Sequence, residues 1–181
     1  MNNLRPVTFI DTWALSSYLF RNKELFDKDT ARQSMEGSPH HDTKTILLRG
    51  PANPTPENWY DDVPQHNYAV MDKWSSLKAV LGKIQRAVDA DVIGKAIIVS
   101  LKPGGTVDWH TDDGEYFEKY LRFHLALVTN PFTLLYSGGE QRWIGVGELC
   151  WLNNRAKHSA INMGTTPRIH LIVDVKKKEV V

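Results

Sequence analysis

From about Gly94 onward the apolar residues fall in short blocks separated by turn residues. The blocks are Ala96–Leu101, Tyr120–Val128, Thr133–Tyr136, Gln141–Ile144, Glu148–Leu152, His158–Ile161 and Arg168–Val175. Between them stand Pro103-Gly104-Gly105, Asn130-Pro131, Ser137-Gly138-Gly139 and Asn153-Asn154. Many short strands with regular turn signals predict a sandwich or barrel. The first half reads differently. Val7–Ile10 predicts a short strand, after which Asp11 or Thr12 caps a helix carrying Leu15, Leu19 and Phe20. Ser34–His41 is polar and predicts a loop, Thr45–Leu48 a strand, and the proline-rich stretch Gly50–Pro64 irregular chain. From Asp72, the residues Trp74, Leu77, Val80, Leu81, Ile84 and Val88 follow the helical period, with Lys73, Lys78, Lys83 and Arg86 mostly on the other faces. The expectation is one domain over 1–181, mostly β with flanking helices (α+β). Its core is a double-stranded β-helix (jelly-roll, cupin-like) over 94–176, and 1–93 forms a mixed α/β supporting and lid region.

The polar positions of these strands carry the chemistry. In the extended run Val107-Asp108-Trp109-His110-Thr111-Asp112, residues two apart share a face, so His110 and Asp112 reach one ion together. His158, opening a distant strand after the Asn153-Asn154 turn, supplies a third ligand. Two imidazoles and a carboxylate leave coordination positions open, as in the facial triad of non-haem Fe(II) oxygenases. A His-x-Asp pair by itself is common. The strand beginning at Arg168 puts Arg168, His170, Ile172 and Asp174 on one face and Ile169, Leu171, Val173 and Val175 on the other. Likewise Arg122 and His124 share a face opposite Leu121, Phe123, Leu125 and Leu127. Taken singly, Arg168 is a strand-end arginine with its head in water, and His124 an interior hydrogen-bonded histidine. Taken together, cations beside a candidate metal point to an anionic ligand, since a guanidinium grips a carboxylate as a two-pronged fork.

Composition narrows the setting. The 181 residues suit a single domain, and a net charge of +1 gives no field for nucleic acid or an anionic membrane. No run approaches the ~20 apolar residues of a membrane span. Asp11 and Arg21 interrupt any secretory signal. One cysteine, Cys150, excludes an intrachain disulfide; it reads as a buried small hydrophobe in a reducing, cytoplasmic setting. The run Lys176-Lys177-Lys178 reads as a solvated strand end.

Ser100-Leu101-Lys102-Pro103-Gly104, Trp109-His110-Thr111-Asp112, Leu121-Arg122-Phe123-His124-Leu125-Ala126-Leu127-Val128, Gly147-Glu148, His158 and Arg168-Ile169-His170-Leu171-Ile172-Val173-Asp174-Val175 together resemble the aspartyl/asparaginyl β-hydroxylase family. The resemblance covers roughly 96–176 and implies an Fe(II)- and 2-oxoglutarate-dependent dioxygenase, a hydroxylase consuming O₂ and releasing succinate and CO₂. It implies that His110 and His158 hold iron, that Arg168 grips the distal carboxylate of 2-oxoglutarate, and that Arg122 and His124 line the co-substrate pocket. The best-known animal members carry glycine two residues after the first histidine. Here Asp112 stands in that place, so the expected site is the full three-ligand kind, and small relatives acting on free amino acids such as proline are as good a model as enzymes acting on protein.

The expected substrate is an amino acid or an amino-acid side chain in a peptide, with a carboxylate or amide near the oxidised carbon. The loop Ser38-Pro39-His40-His41-Asp42, with Arg32 ahead of it, is the natural lid, and Arg32, His40, His41 and Trp109 are the candidate substrate contacts. Two other classes remain open on the residues alone. One is a cupin-like metalloenzyme (isomerase or lyase), which keeps the three ligands but does not need Arg168. The other is a non-catalytic jelly-roll binding module, which tolerates loss of all three ligands.

Overall fold

The computed structural model describes residues 2–55 and 58–177. Pro56, within the proline-rich stretch, and Lys178, last of the basic run, lie outside them. In chain order the elements are β1 (Leu4–Phe9), α1 (Trp13–Arg21), a 3₁₀ turn (Lys23–Asp27), α2 (Ala31–Ser34), β2 (Thr43–Pro51), β3 (Gln65–Asn67), α3 (Ala69–Asp72), α4 (Ser75–Ala87), β4 (Ala90–Leu101) and β5 (Thr106–His110). There follow α5 (Glu115–Lys119), β6 (Leu121–Val128), β7 (Thr133–Ser137), β8 (Glu140–Arg142), β9 (Glu148–Leu152), β10 (His158–Asn162) and β11 (Arg168–Lys177).

Two sheets face each other. The larger runs β1-β9-β6-β11-β4-β2-β3 and the smaller β5-β10-β7-β8. Antiparallel strands stacked in this way form the expected double-stranded β-helix. The first half is woven into it: β1 lies along β9, and β2 pairs with β4 from Thr43↔Leu101 to Arg49↔Ala96.

The alternation along the central strands decides what each face meets. On β11, Ile169, Leu171, Val173 and Val175 pack with Phe123, Leu125 and Leu127 of β6 and with Ala96 and Ile98 of β4. That outer face is covered by α1 through Leu15 and Leu19, and by α4 through Leu77, Val80, Leu81 and Ile84. Each such side chain contributes on the order of 1.5–3 kcal/mol by leaving water. The helix expected from Asp72 is broken at Lys73 and Trp74, where Trp74 leaves helical geometry and buries its indole, 1% exposed. The inner face is closed at one end by Leu4, Leu101, Ala126, Leu135, Ile144, Cys150, Leu152 and Ala160, drawn from both sheets. Burial there pushes the Cys150 thiol up to about 12 and keeps it protonated. Toward the other end the inner face carries Arg122, His124, Arg168, His170 and Asp174, all buried, and two adjoining spaces replace a packed core: a smaller one between the sheets and a larger one between the large sheet and the segments 29–40 and 54–60. No helix among the described residues is long and apolar enough to cross a membrane.

Candidate metal centre and its cavities

Pairing of β10 with β5 sets His158 directly opposite His110. The chain leaves β5 after His110, and Asp112 follows with its amide donating to the Asn154 carbonyl at 3.0 Å. The imidazole rings of His110 and His158 stand 4.2 Å apart, and each Nε2 lies 3.8 Å from an oxygen of Asp112. One donor atom from each of the three falls within 4.8 Å of the others.

The tautomers suit a cation. His110 Nδ1 donates to the Asp108 carbonyl at 2.7 Å and His158 Nδ1 to the Ala156 carbonyl at 3.0 Å. A carbonyl only accepts, so the proton sits on Nδ1 in both rings and each Nε2 presents a lone pair. Burial lowers both imidazole pKa values, His158 to about 4, so both are neutral near pH 7. Burial alone would push the Asp112 carboxyl up, but Arg122, both histidines and the Asn154 amide hold it below the usual range. It is therefore a carboxylate. Asn154 Nδ2 donates to Oδ2 at 3.1 Å and Arg122 Nη1 donates to the same oxygen, which leaves Oδ1 beside His110 with no hydrogen-bond donor among the described residues. These donors fit a divalent transition metal of the Fe(II) kind.

Burial of His158 also links stability to pH. An unfolded chain protonates His158 near 6.5, whereas the folded chain resists down to about 4, so unfolding takes up a proton in that window. Protein stripped of metal by EDTA is expected to lose Tm steadily as pH falls from about 6.5 to about 4. A flat Tm across that window would show that the ring is not held in a dry site.

Arg122 is committed to the protein itself. Its register partner on β11 is Asp174, and it donates to that carboxylate through Nε at 2.8 Å and Nη2 at 2.9 Å while also reaching Asp112. It lines both cavities, but its fork is occupied. Arg168 is the contrast. It is 4% exposed, burial alone lowers its pKa to about 10, and no carboxylate pairs with it among the described residues. Its guanidinium donates from Nη2 to His170 Nδ1 at 3.0 Å. His124 Nδ1 lies 3.4 Å from the same atom, and Nε2 of both His124 and His170 is buried without a partner among the described residues. Arg168, His124, His110 and His158 line one small space together.

A larger cavity of about 340 Å³ adjoins it, walled by Leu47, Ile97, Trp59, Tyr60 and Phe117, with Asp112 at its floor. The loop bearing His40 is fastened to β5: Asp108 N–H donates to the Pro39 carbonyl at 2.9 Å and Thr106 N–H to Asp42 Oδ2 at 2.9 Å. His40 thereby meets His110 edge-on at 4.9 Å between ring centres. Arg32 Nη2 donates to His40 Nε2 at 2.9 Å, while Arg32 Nη1 is buried with no partner among the described residues. Arg32 and His40 line both spaces. His41 and Trp109 line neither. His41 is half exposed beside Asp42 and Asp108, and Trp109 is 52% exposed with its ring against Tyr136.

Residues 58–178 match the family model described as aspartyl/asparaginyl β-hydroxylase. The chain belongs to this family. Among curated proteins, the L-proline cis-4-hydroxylase of Rhizobium meliloti (strain 1021) is 29% identical over 91 residues. That match takes in 50% of this chain and 32% of the relative, so the chain spans about a third of the relative's length. The fold is that of two solved structures. One is a Burkholderia pseudomallei oxidoreductase of the 2OG-Fe(II) oxygenase family, with TM-score 0.56 and 10% identity, covering 91% of this chain and 90% of that one. The other is a Pseudomonas putida prolyl-4-hydroxylase, with TM-score 0.53 and 8% identity, covering 99% and 95%.

Several residues that build this β-hydroxylase-family site escape sequence reasoning. Asn154 reads as a turn residue, and it also orients Asp112. Asp174 and His170 fall on the predicted face, but nothing in the sequence names their partners. Phe117 stands on α5, a helix of 5 residues, too short to show a period.

Proposed function

We propose that the chain is an Fe(II)- and 2-oxoglutarate-dependent oxygenase that hydroxylates a carboxylate-bearing amino acid, with succinate and CO₂ as co-products. The observation that carries this reading is Arg168: a buried guanidinium with no carboxylate beside it among the described residues, in a space it shares with His110 and His158. An unpaired buried charge is expensive unless a ligand supplies the counter-charge. A cupin-like isomerase would need the three ligands but not this cation, and a binding module would need neither.

His110, His158 and Asp112 Oδ1 would hold the iron. Iron so held supplies oxygen activation coupled to decarboxylation of 2-oxoglutarate. The protein does the rest by position. Arg168 fixes the distal carboxylate of 2-oxoglutarate, and His170 turns the guanidinium toward it. Arg122, neutralised by Asp112 and Asp174, holds the carboxylate ligand still. Arg32 Nη1 meets the substrate carboxylate, and His40, kept neutral by burial first and by the charge of Arg32 second, holds the Arg32 fork. The apolar wall of Leu47, Ile97 and Phe117 receives the carbon to be oxidised and keeps water out. The regional match to an L-proline hydroxylase supports a free amino acid as the first choice.

The test is a panel of free amino acids, L-proline first, incubated in air with Fe(II) and 2-oxoglutarate. One member is expected to raise succinate formation several-fold and to gain a single oxygen by mass. Succinate no higher than in the EDTA control with every amino acid and with short peptides would overturn the reading.

A further inference from the structure

On the inner face of β4, Lys95 precedes Ile97, which borders the larger cavity, and Val99, which borders the smaller one. A lysine there is unexpected, since its face is otherwise apolar. It is 2% exposed. Its Nζ sits 3.1 Å from the centre of the Tyr116 ring, 5.2 Å from that of Phe117 and 5.3 Å from that of Trp59. Its Nζ donates to the Trp59 carbonyl at 2.5 Å. The backbone of the same residue is engaged too: Lys95 N–H donates to the Tyr116 hydroxyl at 2.7 Å.

The turn 58–62 thus has its carbonyls fastened from below. Trp59 is held by Lys95, and the Tyr60 carbonyl accepts from Tyr116 N–H at 3.3 Å. At the far end Asp62 pairs with Lys119 at 2.8 Å. Gly114 is required for the fit, because at φ +110 a side chain there would bring its Cβ to 2.8 Å from the Tyr60 oxygen. Gly114 lies two residues beyond Asp112, so the turn docks directly against the chain that carries a candidate ligand.

We propose that Lys95 is a positioning residue for the substrate cavity: its buried ammonium, gripped by the rings of Trp59, Tyr116 and Phe117, holds the Trp59 carbonyl and so keeps Trp59 and Tyr60 in place as a cavity wall. The catalytic consequence rests on the function proposed above; the anchoring itself does not. A desolvated ammonium over aromatic faces is worth more than an exposed one, so the latch depends on charge as well as shape. Burial pulls the Lys95 pKa down to about 8, which puts the loss of that charge within a measurable range. The other groups around it are Tyr116 and Tyr120, both pushed upward by burial; Arg122, which burial pulls down but Asp112 and Asp174 hold high; Lys119, raised by Asp62 and Glu115; and the carboxylates of Asp62, Asp112 and Asp174.

Hydrogen exchange of the backbone amides in 58–62 tests this on the full chain, without any substrate. At pH 7, Lys95→Met is expected to raise exchange there about tenfold while β6 and β11 keep parent rates, as loss of a desolvated cation–π latch implies. Parent protein, corrected for the intrinsic rate, is expected to lose about threefold protection in the same turn between pH 7 and pH 9, and Lys95→Met to show no such change. With a substrate amino acid in hand, its KM should rise in Lys95→Met while the co-substrate's KM stays at the parent value. A variant that exchanges like parent in 58–62 overturns the proposal. Should Lys95→Met lose protection throughout, the parent comparison decides alone: unchanged protection from pH 7 to pH 9 overturns it, and a loss confined to 58–62 supports it.

Discussion

Alanine at His158 is expected to abolish both stoichiometric metal binding and succinate formation. The ring is placed by strand register opposite His110, and the Ala156 carbonyl fixes its proton on Nδ1, so Nε2 faces Asp112 and accepts no hydrogen bond from the described residues. What remains after its removal is His110 and a single oxygen of Asp112, because Arg122 and Asn154 occupy the other. Losing an outer-shell partner of a metal ligand costs roughly 10–100-fold in affinity, and losing a ligand costs more. Anaerobic titration with Fe(II), or the visible spectrum of the Co(II) form, reads the loss without relying on turnover. A His158→Ala protein that still binds one equivalent and forms succinate would remove the metal assignment. Asp112→Ala combines two effects that His158→Ala keeps apart. It removes a ligand and also leaves Arg122 with Asp174 as its remaining carboxylate, so about 3 kcal/mol of stability should go with it, the lower end for a broken buried pair. Metal binding in His158→Ala should vanish with far less change in Tm.

How far these roles are visible in the chain follows from what each depends on. The triad is readable because period-2 geometry puts His110 and Asp112 on one side, and because His158 opens a strand directly after a turn. The faces of β6 and β11 are legible for the same reason: the apolar positions Phe123, Leu125, Ile169, Leu171 and Val173 all enter the core beneath α1 and α4. The division of labour between two arginines is not legible. Arg122 and Arg168 look alike in sequence, each opening an Arg-x-His run. Only the register Asp174↔Arg122, across 52 residues, shows that one is already neutralised. The place of β1 and β2 in the large sheet is hidden for a related reason, since β1 pairs with β9 almost the whole chain away. The cavity wall is the least legible part. Trp59, Tyr60 and Phe117 come from a turn and a helix of 5 residues, and Lys95 breaks the pattern of its own strand.

Arg168→Ala is expected to raise the co-substrate's KM at least ~30-fold. Removing one member of a buried charged pair costs about 2–5 kcal/mol, and each 1.4 kcal/mol is tenfold. The contact is made equally in ground and transition states, so kcat at saturating 2-oxoglutarate should change far less than KM. Arg168→Lys keeps charge but not the fork and should fall between the two. A KM within about twofold of parent for Arg168→Ala would exclude the role. Stability supplies an independent reading. In the ligand-free protein Arg168 is a buried cation facing two neutral imidazoles, with no carboxylate beside it among the described residues. Its desolvation is then uncompensated, and Arg168→Met, which fills similar space without charge, should hold or raise Tm. Addition of 2-oxoglutarate should raise the parent Tm by mass action and leave that of Arg168→Met nearly unmoved. An arginine present for packing alone gives the opposite pattern, with Tm falling in the variant and the same ligand response in both, because a structural cation is already satisfied before the ligand arrives.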